Sequence, residues 1–175
     1  MTLNREAPTS GAAPGVDFAR IEREHVASRI YPAFDWVPYD TFSPYNPMTV
    51  PLEHARVALV TTAGAHLHDQ RPFATSAKEG DPSFRVLPAD VDLTEIQLTH
   101  SGYDTQTAIQ DVQVVLPLDH LRVLVRSGRI GGMTPSIYST MGYVADTGPF
   151  IRETSLEITR LVSAERPDLV LLVPA

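Results

Sequence analysis

The spacing of apolar and polar positions changes several times along the chain, and each change marks an element. Arg56–Thr61 (RVALVT) is a short apolar run rich in β-branched residues, without alternation. A strand buried on both faces reads this way. Phe84–Leu87, stopped by Pro88, and Glu95–Thr99, where Ile96 and Leu98 alternate, predict two further short strands. Asp168–Val173 (DLVLLV) predicts a last buried one. Between these runs the spacing turns helical. Asp17 is placed to cap a helix over 18–30, with Ala19, Val26 and Ile30 on one stripe. Leu118, Leu121, Leu124 and Val125 predict a helix over 118–127, opened by Pro117 and stopped by Gly128. Met133, Ile137 and Met141, four apart, predict a short helix starting at Thr134-Pro135. Ile151, Ile158, Leu161 and Val162 predict another from Pro149 to Ser163. Val112–Leu116 reads as extended, and His66–Ser83 as a long polar connection of the kind that usually carries function.

Strands interleaved with helices imply an α/β fold in three layers, a mostly parallel sheet with helices on both faces. The unbroken runs at 57–60 and 169–173 call for cover on both sides of the sheet. The division expected is a disordered tail over 1–15, an N-terminal helix and Pro/aromatic-rich arm over 16–55, and the α/β domain over 56–175. The arm, Tyr31–Pro51, holds Phe34, Trp36, Tyr39, Phe42 and Tyr45 among its prolines. Its rings either pack onto the domain or form a pocket wall or partner surface. The apolar terminal strand, left at an edge, predicts an oligomer, homo- or heteromeric, with the arm at its interface.

Composition narrows the function classes. The chain has 175 residues, a net charge of −7 and no Lys/Arg cluster, which argues against a nucleic-acid partner. No run approaches the ~20 apolar residues of a membrane span, and no signal pattern opens the chain, so a cytoplasmic protein without a membrane role is expected. There is no cysteine. Disulfides, zinc–thiolate sites and thiol catalysis by these residues are excluded.

Candidate chemistry gathers at two predicted strand ends. Thr61, Thr62 and Gly64 lie at the turn that ends the first strand, where hydroxyls and open amides suit a carboxylate or phosphate. His66 and His68 lie just beyond, on alternate residues of one loop. His100 follows another strand, with Tyr103 as a possible pocket wall. If the two strands are parallel, Thr62, His66, His68, His100 and Asp111 share one pocket at the carboxyl edge. Two readings stay open. His66, His68 and His100 can bind a divalent metal, zinc or iron, with Asp69, Asp104 or Asp111 completing the set. Alternatively His100 works in acid–base chemistry, oriented by Asp104 or Asp111. The ordinary alternative for each histidine is a hydrogen bond to a backbone carbonyl. His25, His54 and His120 read as structural.

An ordered set of segments adds a resemblance: LVTTAGAHLHDQRPF (59–73), GDPSFRVLP (80–88), LTHSGYD (98–104), VVLPLDHL (114–121), SGRIGG (127–132), YSTMGY (138–143) and PDLVLLVPA (167–175). Together they resemble the glycine/sarcosine/betaine reductase selenoprotein B and D-proline reductase family. The resemblance implies reductive C–N cleavage of a small amino-acid-derived substrate. It also implies a pyruvoyl-bearing partner subunit and a selenocysteine or cysteine nucleophile that lies shortly after the strand resembling Leu169–Val173. No such residue is present in this sequence. The reading this favours is a reductase-B-like subunit, with catalytic residues His100, Asp104 and Asp111 and a nucleophile supplied by a partner chain bearing Cys or Sec. The alternatives are a metal-dependent lyase, hydrolase or oxygen-using enzyme on the same scaffold, and a non-catalytic regulatory relative. No cofactor is certain from sequence.

Overall fold

The computed structural model describes residues 17–29, 32 and 46–175, in two compact units over 1–45 and 46–175. The expected tail and the aromatic positions of the expected arm lie outside the described residues.

In the first unit Phe18–Arg29 forms helix α1. Asp17 caps it as its sequence position suggests, its carboxylate accepting the Arg20 N–H at 3.0 Å. None of the helix residues is buried, and an Arg20–Glu24 pair lies along one face at 2.9 Å.

In the second unit the chain runs β1 (Arg56–Thr61), β2 (Ala65–Leu67), β3 (Phe84–Pro88) and β4 (Ile96–Leu98), then the short α2 (Thr105–Ala108). A 3-10 turn (Ile109–Val114), α3 (Leu118–Arg126) and β5 (Gly132–Thr140) follow. The one-turn α4 (Thr147–Pro149) passes through a π turn (Phe150–Thr154) into α5 (Ser155–Ala164), and β6 (Leu169–Val173) comes last. The main sheet has the order β3-β5-β1-β6. β1 is parallel to both β5 and β6, and β3 is antiparallel to β5. The class is therefore α/β with a mostly parallel, mixed sheet.

β1 is central and meets its prediction: Val57, Ala58 and Leu59 are all buried. Its alternate side chains serve two cores. Val57 and Leu59 join Ile137 and the α3 residues Leu118 and Leu121 on one face. Ala58 joins Tyr138 and the α5 residues Ile158 and Val162 on the other. Burying a leucine such as Leu59 stabilises by about 1.5–3 kcal/mol.

Four expectations are corrected. Gly132–Thr140 is a strand, not the start of a helix. Ile137 and Tyr138 are adjacent and both buried, on opposite faces, which a strand allows and one helical stripe does not. Pro135 sits in an irregularity where Val57 pairs with Met133 but Leu59 with Ile137, so a missing N–H costs no ladder bond. Secondly, β4 is not in the main sheet but pairs antiparallel with β2, because the chain reverses at Gly64 and brings Thr99 against it. Thirdly, 112–116 is not extended: it packs Val112, Val115 and Leu116 inward from the 3-10 turn. Finally, β6 is not buried: it lies at the edge of the sheet, where the terminal strand was expected to be left, and Leu172 is 69% exposed there. An apolar run by itself does not show that both faces are covered. Among the described residues no helix is long and apolar enough to cross a membrane.

Candidate functional site

Because β1, β5 and β6 are parallel, Thr61, Thr140 and Val173 all end at one edge of the sheet. The turn after β1 is held there by its own backbone. Thr62 N–H donates to Val173 O at 3.0 Å and Gly64 N–H to Thr140 O at 2.8 Å. Thr99 N–H donates to Gly64 O at 3.0 Å. Ala63 N–H donates to the Thr61 hydroxyl, which itself donates to Val115 O at 2.8 Å. All three amides of the turn are thus engaged internally, and Thr61 is fully buried. The open amides expected for an anion are not there. What the turn presents is the Thr62 side chain, whose hydroxyl oxygen accepts from the Ala175 N–H at 2.9 Å.

Gly64 is required by this geometry. Its φ is +67°, and a Cβ would collide with the Thr99 carbonyl, 2.9 Å from its carbon.

The three histidines separate. His66 is buried on β2, with Nδ1 2.9 Å from Leu67 O, Nε2 2.8 Å from the Thr99 hydroxyl, and its ring against Phe73. The strand ends at Leu67 in a turn closed by Gln70, so His68 does not continue the alternation and is exposed beside Asp69. Among the described residues no group of three or more His, Cys, Asp or Glu is arranged to hold a metal ion. The three-imidazole arrangement is therefore not formed, because both His66 nitrogens are committed within the fold.

His100 does reach the predicted edge. Its Nδ1 accepts the Gly102 N–H at 2.7 Å. Its Nε2 is shielded from solvent and has no hydrogen-bond partner among the described residues. Tyr103 packs on the ring at 4.6 Å between centroids and donates its hydroxyl proton to Ala63 O at 2.6 Å. Burial pushes the Tyr103 phenol up to about 12 and holds His100 below the usual histidine value, since both charged forms lose solvation.

Neither expected carboxylate orients His100. Asp104 caps α2, accepting from the Gln106 and Thr107 amides and the Thr107 hydroxyl, and the last of these chiefly holds its pKa below the ordinary range. Asp111, exposed, accepts the Gln113 N–H at 3.1 Å. Gly102 takes the orienting role instead.

Two glycines passed over in the sequence complete the site. A Cβ on Gly102 would lie 2.8 Å from the Cε1 of His100. Gly142, at φ +74°, follows β5 at the same edge, and a Cβ there would lie 3.0 Å from the Thr62 Cβ and 3.1 Å from the His100 Nε2. Thr62, His100 and Gly142 thus converge. The available signal was the glycine inside YSTMGY, just after a run that reads as a strand once its period is taken as two. On the α5 side of the same edge, a cavity of about 730 Å³ is lined by Thr62, Thr140, Val60, Ile158, Val162 and Leu172.

The long connection after β2 braces this edge. Arg85 lies 4.2 Å over the Phe73 ring and donates to Arg71 O and Pro72 O. Asp81 accepts from the Ala74 and Ser83 amides. Gly80, at φ +81°, forms a bridge with Val144, next to the Gly142 turn.

The description glycine/sarcosine/betaine reductase selenoprotein B belongs to the family model that matches residues 22–175. D-proline reductase subunit gamma of Acetoanaerobium sticklandii is 35% identical over 137 residues, 78% of this chain and 55% of that protein. Glycine reductase complex component B subunit gamma of Carboxydothermus hydrogenoformans is 33% identical over 145 residues, 79% of this chain and 32% of that one. Sarcosine reductase complex component B subunit beta of Peptoclostridium acidaminophilum is 33% identical over 123 residues, 67% and 26% of the two chains. The chain therefore spans about half the length of the first of these relatives and less of the others. No solved structure matches it. With the family model matched over most of its length, the chain belongs to the glycine/sarcosine/betaine reductase selenoprotein B family.

Proposed function

We propose that this chain is a subunit of a reductase-B-like enzyme acting on a small amino-acid-derived substrate, with the redox nucleophile supplied by a partner chain. The observation that carries this is a family match over 22–175 in a sequence without a single cysteine. The relatives are named as gamma and beta subunits of proline, glycine and sarcosine reductases. Attack on a substrate carbon next to nitrogen needs a soft thiolate or selenolate, which no side chain here provides.

The role left to these residues is to shape and line the pocket. Three parallel strands end at one edge, as open α/β sheets place their ligands. There the chain offers Thr62 and His100 and a glycine turn that lets backbone approach closely. C–N or related bond cleavage would be completed by the Cys/Sec-bearing chain, with a pyruvoyl-bearing subunit as a second candidate partner.

Affinity isolation from the native source under reducing, oxygen-free conditions tests this. The expected result is a stable heteromer whose second chain carries cysteine or selenocysteine, and in which substrate cleavage is lost when this chain is left out. A homomer that cleaves substrate unaided would refute the proposal.

A further inference from the structure

The His100 ring has a fixed proton. A backbone amide can only donate, and Gly102 N–H points at Nδ1 from 2.7 Å. Nδ1 must therefore be the bare, accepting nitrogen, and the neutral ring carries its hydrogen on Nε2. That Nε2–H is buried and unpartnered among the described residues. An unsatisfied buried donor is costly and rare in folded proteins. The ring does not relieve the cost by turning, because Tyr103 packs at 4.6 Å and Gly102 lies along its Nδ1 edge.

Thr62 stands close by. A Cβ on Gly142 would lie 3.1 Å from Nε2, 3.0 Å from the Thr62 Cβ and 3.1 Å from the Thr62 carbonyl oxygen. The Thr62 hydroxyl oxygen accepts from Ala175 N–H, which leaves its proton free to donate. Both residues stand at the carboxyl edge, where Thr62 also lines a cavity.

We infer that His100 Nε2–H and the Thr62 hydroxyl form a carboxylate-binding subsite, in which His100 donates a hydrogen bond to one substrate oxygen rather than accepting a proton. Because the Gly142 turn stands against the buried Nε2, binding there requires that turn to give way. This rests on the amino-acid-derived substrate proposed above, and it changes the role of His100 from acid–base group to oriented donor. A neutral donor discriminates by shape and hydrogen bonding rather than charge, and loses its partner when the oxygen is absent.

The test is nitrogen-15 NMR of the full chain with labelled histidine, the His100 signals being assigned from His100→Gln. At neutral pH, Nδ1 is expected to show the bare-nitrogen shift and Nε2 the protonated one. Acetate and glycine should each move the His100 Nε2–H signal saturably, and methylammonium, which has no carboxylate, should leave it in place. A proton on Nδ1 overturns the inference, as does a signal that neither carboxylate moves. In the assembled complex, His100→Ala is expected to raise KM at least tenfold with a smaller change in kcat, and His100→Gln, which retains an N–H donor, to recover part of the loss. A fall in kcat without a change in KM would overturn it. The NMR arm needs neither partner nor turnover, so its failure and the failure of the heteromer proposal are separate results.

Discussion

Gly64→Ala and Gly128→Ala form a matched pair that tests how the candidate site is built. Both glycines have nearly the same backbone, φ +67° and +68°. They differ only in surroundings. Nothing lies within 4 Å of a Cβ on Gly128, whereas one on Gly64 runs into the Thr99 carbonyl. An alanine in the left-handed region costs about 1–2 kcal/mol wherever it is placed. At Gly128 that is the whole effect. At Gly64 the clash is with backbone, so β4 or the turn must shift. Either movement endangers two hydrogen bonds, Gly64 N–H to Thr140 O and Thr99 N–H to Gly64 O. At about 0.5–1.5 kcal/mol each, their loss brings the total to about 2–5 kcal/mol. With a urea slope of about 2 kcal/mol/M, the midpoint should fall by about 1–2.5 M for Gly64→Ala and by about 0.5–1 M for Gly128→Ala. Near-ultraviolet circular dichroism, to which the buried Tyr138 contributes, follows the transition. Equal midpoints for the two variants would show that the Gly64–Thr99 contact does not hold the edge together.

Leu59→Ala, at a fully buried central position, should cost about 2–5 kcal/mol in denaturant unfolding, while Leu172→Ala, 69% exposed on the edge strand, should change the isolated chain by under about 0.5 kcal/mol. Tyr103→Phe removes the bond to Ala63 O and should destabilise by about 1–3 kcal/mol; in the wild type, spectrophotometric titration should show a phenol ionising near 12 that this variant lacks. Burial lowers the His100 pKa, so the unfolded chain binds its proton more readily than the folded one. The contribution to stability is therefore full above about 6.5 and is lost as pH falls through the lower folded value. Unfolding midpoints measured from pH 8 down to 5 should decline less steeply for His100→Gln than for the wild type.

How far the fold could be read depended on whether one period explained each stretch. β1 and α3 were legible because RVALVT fits only a buried strand, and the leucines of 118–125 fit only a helix face. The stretch 133–141 fits both: Met133, Ile137 and Met141 are four apart, but Ile137, Tyr138, Ser139 and Thr140 also form a β-branched and hydroxyl-rich run. Its pairing between β1 and β3 decides the matter, and that pairing is long-range information. The site divided in a similar way. Thr62 follows β1 directly, as the apolar run implies, whereas His100 follows a strand that lies in the second sheet and not, as expected, parallel to β1. His66 was misplaced because β2, three residues long, turns it into the fold, and so short a strand leaves no periodic trace. Gly102 and Gly142 were missed because their role is to leave space for a ring delivered from a distant segment.

The segments that carry the family resemblance acquire a common purpose from these contacts. Arg85, in GDPSFR, clamps Phe73 and the carbonyls of Arg71 and Pro72, in DQRPF. Gly80 bridges Val144 just past YSTMGY, and Glu79 O receives the Ala145 and Asp146 amides. Gly142 then abuts His100, which Tyr103 and Gly102 of HSGYD hold in place. Most of these residues bear no reactive group. Each fixes the next, from the long connection through the Gly142 turn to the imidazole. These contacts position one imidazole ring beside Thr62, which fits the substrate-orienting role proposed above. In the proposed heteromer, the Cys/Sec-bearing chain would have to reach the carboxyl edge where His100 and Thr62 stand.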